Sequence, residues 1–264
     1  MKVMFIGDIT AKIGRRVVKK LVPYLRKKYQ LDFVIANAEN ATHGKGLIYN
    51  HYEFLLDAGV DALTLGNHYD DKNEIREYID GASEVIRPYN LLNDFPGVGT
   101  AVFESDDGIK IRVSSLILPA FMNIEVENPF HAFDRLLDEA EPTDFHIVDI
   151  HGETTAEKLA FAFNFSGRVS AIVGTHTHVQ TNDYRILPGG TAYITDVGMS
   201  GPYNGILGVD REGVIAKMKG EKGHFGYDNK DDAIFSAVII DLDEMTGLAK
   251  DIFPIYEIVS WKDL

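Results

Sequence analysis

The sequence predicts an α/β fold, a layered α/β sandwich with two mixed β-sheets flanked by helices. Three observations carry that expectation. Short runs rich in Val, Ile, Phe and Leu recur along the 264 residues. Helical patterns separate them. The runs are continuous rather than alternating, as in strands covered on both faces. No repeat, low-complexity tract or linker breaks the series, so residues 1–264 are read as a single domain.

The elements follow in chain order. "KVMFIG" is the first strand. "AKIGRRVVKKLVPYLRKKY" is the first helix, with Val17, Val18, Leu21, Val22 and Leu25 recurring at helical spacing among basic residues. "DFVIAN" and "DALTLG" are strands divided by the helical "NHYEFLLDAG", for which Asn50 is the expected N-cap. "DKNEIREYID" is helical. From Asn90 to Leu118 the chain reads as extended strands around the turn "SDDG". Then come helix "HAFDRLLDEA", strand "DFHIVDI", helix "TAEKLAFAFNF" and strand "VSAIVG". The tail "DDAIFSAVIIDLDEMTGLAKDIFPIYEI" reads as two strands about "EMTG", and it and the Asn90–Leu118 segment together predict a second, partly antiparallel sheet.

Composition excludes several functions. No run approaches the ~20 apolar residues of a membrane span, and the apolar start ends at Gly7 and Asp8, too early for a signal peptide. A cytoplasmic location and no membrane partner are therefore expected. With no cysteine, disulfides, thiol nucleophiles and thiolate metal sites are all excluded. A net charge of −14 argues against nucleic-acid binding through a broad basic surface. Residues 1–50 nevertheless hold ten Lys or Arg against three Asp or Glu. That excess is either the solvated face of the first helix or a patch that attracts phosphorylated substrates.

The informative residues follow the buried runs. Asp8 follows "VMFIG", Glu39 and Asn40 follow "FVIANA", Asn67 and His68 follow "ALTLG", His151 follows "HIVDI", and His176 and His178 follow "AIVGT". In an open α/β sheet the carboxyl ends of these strands share one edge, and ligands bind in the crevice there. Without sulfur, Asp, Glu, Asn and His are the side chains that hold Mn, Fe or Zn. Eight of them exceed what one ion needs, and two ions with a bridging carboxylate are the economical arrangement. Paired ions ~3.5 to 4 Å apart suit in-line displacement at phosphorus, so a phosphoester hydrolase is expected. The other histidines, His51, His131, His146 and His224, are read as surface or core residues, and His43 as a candidate substrate contact.

At these residues the sequence resembles a known group. "GDI", "ANAEN", "LGNH", "DIHGE", "GTHTHVQTND", "ITDVGMSGP" and "GILG" are similar to the YmdB-like bacterial phosphodiesterases of the calcineurin-like metallophosphoesterase superfamily, over essentially the full length. The resemblance implies a dinuclear metal centre and hydrolysis of 2′,3′-cyclic nucleotides or other phosphodiesters. It makes Asp8, Asn40 and His178 ligands of one ion and Asn67, His151 and His176 ligands of the other, with Glu39 bridging. His68 becomes the catalytic acid or the group stabilising the leaving oxygen, and a metal-activated bridging hydroxide the nucleophile. The expected cofactors are two divalent or trivalent ions, Fe or Mn ahead of Zn. Thr10 stands where the superfamily at large has a histidine, and "GNHYDDK" lacks the tryptophan expected in that loop.

The implied substrate is a small phosphodiester or cyclic nucleotide, with an RNA end as a further candidate. A phosphomonoesterase of the nucleotidase kind is the rival enzyme. The rival from another class is a regulatory protein that binds a nucleotide or RNA end without turnover. A homo-oligomer is expected, with the aromatics of "GPYNGILG" and "GHFGYDN" as either a subunit contact or an active-site rim.

Overall fold

In a computed structural model describing residues 1–92, 94–105, 107–227 and 230–264, the strand patterns resolve into two stacked sheets. The first half of the chain gives β1 (Lys2–Ile6), β2 (Asp8–Ile9), α1 (Ala11–Tyr29), β3 (Phe33–Asn37), α2 (Tyr49–Asp57), β4 (Ala62–Thr64), α3 (Ile75–Tyr78), β5 (Val85–Ile86), β6 (Thr100–Glu104) and β7 (Lys110–Leu118). The second half gives α4 (Pro129–Glu139), β8 (Phe145–Gly152), α5 (Thr155–Phe165), β9 (Ala171–Thr175), β10 (Arg185–Ile186), β11 (Ala192–Ile194), β12 (Met199–Pro202), α6 (Arg211–Met218), β13 (Ala233–Asp243) and β14 (Leu248–Val259).

One sheet runs β2-β12-β13-β1-β3-β4-β5 with β14 also on β13, and the other runs β10-β11-β9-β8-β7-β6. Both are mixed. β1, β3, β4 and β5 are parallel, as are β7, β8, β9 and β11. β13, β6 and β10 pair antiparallel with their neighbours.

The continuous apolar runs have a direct cause. In β1, Val3 and Phe5 point into the space between the sheets, where they meet Ile111, Val113, Ile147 and Val173. The alternate residues Met4 and Ile6 point outward against Val17, Val18 and Val22 of α1. On the far side Leu116, Val148 and Ile150 pack against Phe133 of α4 and Phe161 and Phe165 of α5. The order is helix, sheet, sheet, helix. Each fully buried Phe or Ile contributes about 1.5–3 kcal/mol of burial, so truncating Phe5, wholly enclosed, costs about 3–5 kcal/mol.

This stacking sets five strand ends along one rim. The Asn37 amide at the end of β3 donates to Asp149 Oδ2 of β8 at 3.1 Å. Ser115 Oγ of β7 donates to the Leu65 carbonyl beyond β4 at 2.6 Å. Polar pairs thus join the two sheets where their carboxyl ends emerge.

Several expectations are corrected. The strands whose ends form the rim are divided between two sheets, because a parallel run reads the same in either. The carboxy-terminal hairpin joins the first sheet, since β13 pairs with β1 from Ala237 to Asp241. Asn50 does not cap α2; it is the helix's second residue, and the Tyr49 amide donates instead to Glu74 Oε1 at 2.9 Å. "DKNEIREYID" forms one α-turn followed by a short 3-10 turn. Within the predicted segments, Asn93, Asp106 of "SDDG", and Asp228 and Asn229 of "GHFGYDN" lie outside the described residues. No helix among the described residues is long and apolar enough to cross a membrane.

Candidate metal centre

The first group of side chains forms around Asp8, in the two-residue strand β2 after Gly7. Asp8 is fully buried. Asn40 Nδ2 lies 3.2 Å from its Oδ1 and also 3.2 Å from His178 Nε2. The second group forms around His151, the penultimate residue of β8. Its Nε2 lies 2.8 Å from Asn67 Oδ1 and 3.0 Å from His176 Nδ1. Glu39 stands between the groups, with Oε1 3.0 Å from His151 Nε2 and 3.3 Å from Asn40 Nδ2. All seven residues implied as ligands are thereby brought together.

Backbone choices make this convergence feasible. A Cβ on Gly66 would lie 2.3 Å from the His151 ring, and one on Gly174 only 1.7 Å from the Thr195 carbonyl. The glycines of "LGNH" and "VGTH" therefore let the chain pass where a side chain would block it. His176 and His178 adopt φ of +104° and +64°. Each such non-glycine residue costs about 1–3 kcal/mol, which the surrounding structure must hold in place.

Neighbours orient the imidazoles. Thr175 Oγ1 donates to Asp149 Oδ1 at 2.7 Å and so accepts from His151 Nδ1 at 2.9 Å, leaving Nε2 to face Glu39. His178 Nδ1 donates to the Leu207 carbonyl at 3.1 Å, leaving Nε2 toward Asn40. His176 Nε2 meets Glu153 Oε2 at 3.2 Å, leaving Nδ1 inward. Metal-binding histidines are held in this way by partners on the second ring nitrogen. Sequence reasoning missed Asp149, Thr175 and Glu153. The readable signal was Asp149 two positions before His151, on the same strand face.

Burial and mutual charge shift the titration of these groups. Burial pushes the Asp8 carboxyl up to about 6, against the opposing pull of His178 and His151. Glu39 is equally enclosed, but the charge of His151 overcomes burial and holds it down at about 2. His151, despite its own burial, is lifted to about 9 by Glu39. Burial, then the charge of His151, lowers His176 to about 4.

The donors fit a metal ion. Ligands about 2.1 Å from one ion and at right angles to each other lie about 3 Å apart, the spacing seen around His151 Nε2. Glu39, His151 and His176 offer ligand atoms all within 4.8 Å of one another.

His68 lies beside this group. Its Nδ1 is 2.8 Å from Asp71 Oδ2, and its ring borders a cleft of about 300 Å³ also lined by Lys45, Leu207 and Tyr227. The "GILG" and "GHFGYDN" segments therefore contribute to the rim of the site. His43 turns away toward His51, their ring centroids 6.2 Å apart, while Gly44 and Lys45 face the cleft. Thr10, buried, donates to the Asp8 carbonyl at 3.2 Å. Tyr69, in the loop expected to carry a tryptophan, packs edge-on against Phe95 at 4.7 Å. A larger cleft of about 680 Å³ lies away from this site and is lined by Asp32, Asp61, Glu84 and Glu104.

Comparison with known proteins places this geometry in context. The chain is 45% identical over 250 residues to the 2′,3′-cyclic-nucleotide 2′-phosphodiesterase of Bacillus subtilis, covering 94% of each chain. It superimposes with a TM-score of 0.92 and 39% identity on the crystal structure described as a novel phosphatase from Mycoplasma pneumoniae, covering 98% of this chain and 94% of that one. A Thermus thermophilus crystal structure gives 0.91 and 39%, covering 98% and 100%. Residues 4–255 match the family described as YmdB-like protein, and the chain belongs to that family.

Proposed function

We propose that the chain is a metal-dependent phosphodiesterase that hydrolyses 2′,3′-cyclic nucleotides at a two-ion centre. The observation that carries this reading is the division of seven donors into two groups joined by Glu39. Asp8, Asn40 and His178 would hold one ion, and Asn67, His151 and His176 the other, with Glu39 shared. Every donor suits Fe, Mn or Zn, with Fe or Mn the expected occupants. Such ions would neutralise phosphate oxygens and would supply a nucleophile by lowering the pKa of water.

The chain's own residues supply the remainder. His68 stands at the cleft wall with Nδ1 held by Asp71 at 2.8 Å, which leaves Nε2 to give a proton to the departing ribose oxygen. Its backbone N–H donates to Glu39 Oε2 at 2.8 Å, fixing its distance from the donor groups. Lys45 adds a cation at the mouth, where an anionic substrate enters. The relative's name, a 2′,3′-cyclic-nucleotide 2′-phosphodiesterase, supports the choice of substrate.

The deciding experiment is elemental analysis of the purified chain with turnover of 2′,3′-cyclic AMP in manganese. Two ions per chain and a nucleoside monophosphate product are expected. Binding without product would favour the non-catalytic reading. Faster hydrolysis of para-nitrophenyl phosphate than of its bis ester would favour a phosphomonoesterase.

A further inference from the structure

Beneath the proposed ligands lies a buried ion pair that the mechanism does not use. Lys158, on the inner face of α5, and Asp196, beyond β11, are both fully enclosed, with Nζ and Oδ2 2.8 Å apart. Stability alone does not call for such a pair, since desolvating two charges offsets their attraction and apolar replacements often fold as well. Its remaining hydrogen bonds suggest its purpose. Lys158 Nζ also donates to the Thr175 carbonyl at 2.7 Å. Asp196 Oδ2 accepts the Thr177 N–H at 3.0 Å, and Oδ1 accepts the Gly198 N–H at 2.9 Å. The Gly198 carbonyl in turn accepts the Asp8 N–H at 3.0 Å.

The pair therefore grips the chain on both sides of His176, whose φ is +104°, and anchors the turn that sets Asp8. His176 and Asp8 belong to different donor groups. We infer that Lys158 and Asp196 are positioning residues that hold the two proposed ion sites in register, and this inference rests on the two-ion reading above. A charged pair suits the task because each ion makes several strong hydrogen bonds in a dry interior. Neutral side chains would leave those backbone groups without partners or only loosely held.

The test uses the full chain and manganese alone. The double variant Lys158→Met with Asp196→Leu removes both charges together and leaves no orphan ion. It is expected to stay folded but melt below the parent, because the Thr175 carbonyl and the Thr177 and Gly198 N–H groups lose their partners, while its manganese dissociation constant rises at least tenfold, the size found for groups that orient metal ligands. In the metal-free parent, the Thr177 and Gly198 amides are expected to exchange with deuterium at least a hundredfold more slowly than unprotected amides, and this protection is expected to disappear in the variant. A folded variant with parental manganese affinity would overturn the inference. So would parental Thr177 and Gly198 amides exchanging at the unprotected rate, a result that needs no variant to fold. If the parent itself takes up no manganese, the two-ion reading fails while the exchange data still decide whether the pair grips the chain.

Discussion

Glu39 Oε2 accepts the backbone N–H of His68 at 2.8 Å, so the carboxylate proposed to join two ions also fixes the position of the proposed acid. Its other oxygen faces His151 at 3.0 Å. One side chain thus sets the spacing between the elements that bind and the element that transfers a proton.

Glu39→Ala is expected to lose both ions rather than one, because each donor group would lack its shared carboxylate. Metal content after dialysis against manganese should fall below one ion per chain, and hydrolysis should fall by at least about a hundredfold. Two retained ions per chain would remove Glu39 from the bridging role.

His68→Ala separates binding from chemistry. Metal content should stay near the parental value, because no proposed ligand atom belongs to His68. Turnover of 2′,3′-cyclic AMP should drop by about 10² to 10⁴. The loss on bis-para-nitrophenyl phosphate should be smaller, though still at least about tenfold, because its leaving group departs with less need of a proton. Asp71→Asn leaves the imidazole in place but weakens its anchor at Nδ1, so its loss should be the milder of the two. Equal losses on both substrates would argue against proton donation.

Much of the site was legible because strand ends carry it. A buried parallel strand must be apolar along its length, so the first polar residues beyond it stand out, as Asp8 and His151 do. The supporting residues were less legible. Asp149 lies inside an apolar run, and nothing local shows that Asn37, Thr64 and Thr175 all donate to it. Lys158 left a readable trace, since it shares the apolar face of α5 with buried Phe161, Ala162 and Phe165. A lone lysine at that spacing calls for a buried anion, but its partner Asp196 is 38 positions away. Two sheets were expected, but which strand joins which was not legible, because local pattern records burial and not which neighbour supplies it. The start of α2 was misread for a similar reason: Glu74, distant in sequence, takes the place expected of Asn50.

Proton competition should shape metal uptake. Burial holds the Asp8 carboxyl up at about 6 in the metal-free chain, so below that pH the proposed ligand is protonated and an ion must displace the proton. His151, lifted to about 9 by Glu39, carries a second proton that an ion must displace, so apparent manganese affinity should weaken by up to about tenfold per unit as pH falls from 9 to 6 and by up to about a hundredfold per unit below 6. Titrations at pH 7.5, 6.5 and 5.5 check this. A slope no steeper from pH 6.5 to 5.5 than from 7.5 to 6.5 would exclude Asp8 as a ligand.

A separate pH dependence belongs to the base of the second sheet. His146 is buried in β8, with Nε2 2.9 Å from Ser114 Oγ and its ring 5.5 Å from Phe133. Burial, then the charge of Arg112, lowers it from 6.5 to about 3. The folded chain thus keeps this imidazole neutral, while the unfolded chain protonates it near 6.5. Above that pH neither state binds the proton and stability is unaffected. Between 6.5 and 3 only the unfolded state does, so stability falls as pH falls, by about 1.4 kcal/mol per unit. His146→Gln removes this dependence while leaving a polar group beside Ser114. Denaturant titrations at pH 7.5 and pH 5, both without metal, should show the parental chain losing about 2 kcal/mol more than the variant. Equal losses would mean that His146 is protonated within the fold, and that the space between Ser114 and Phe133 admits water.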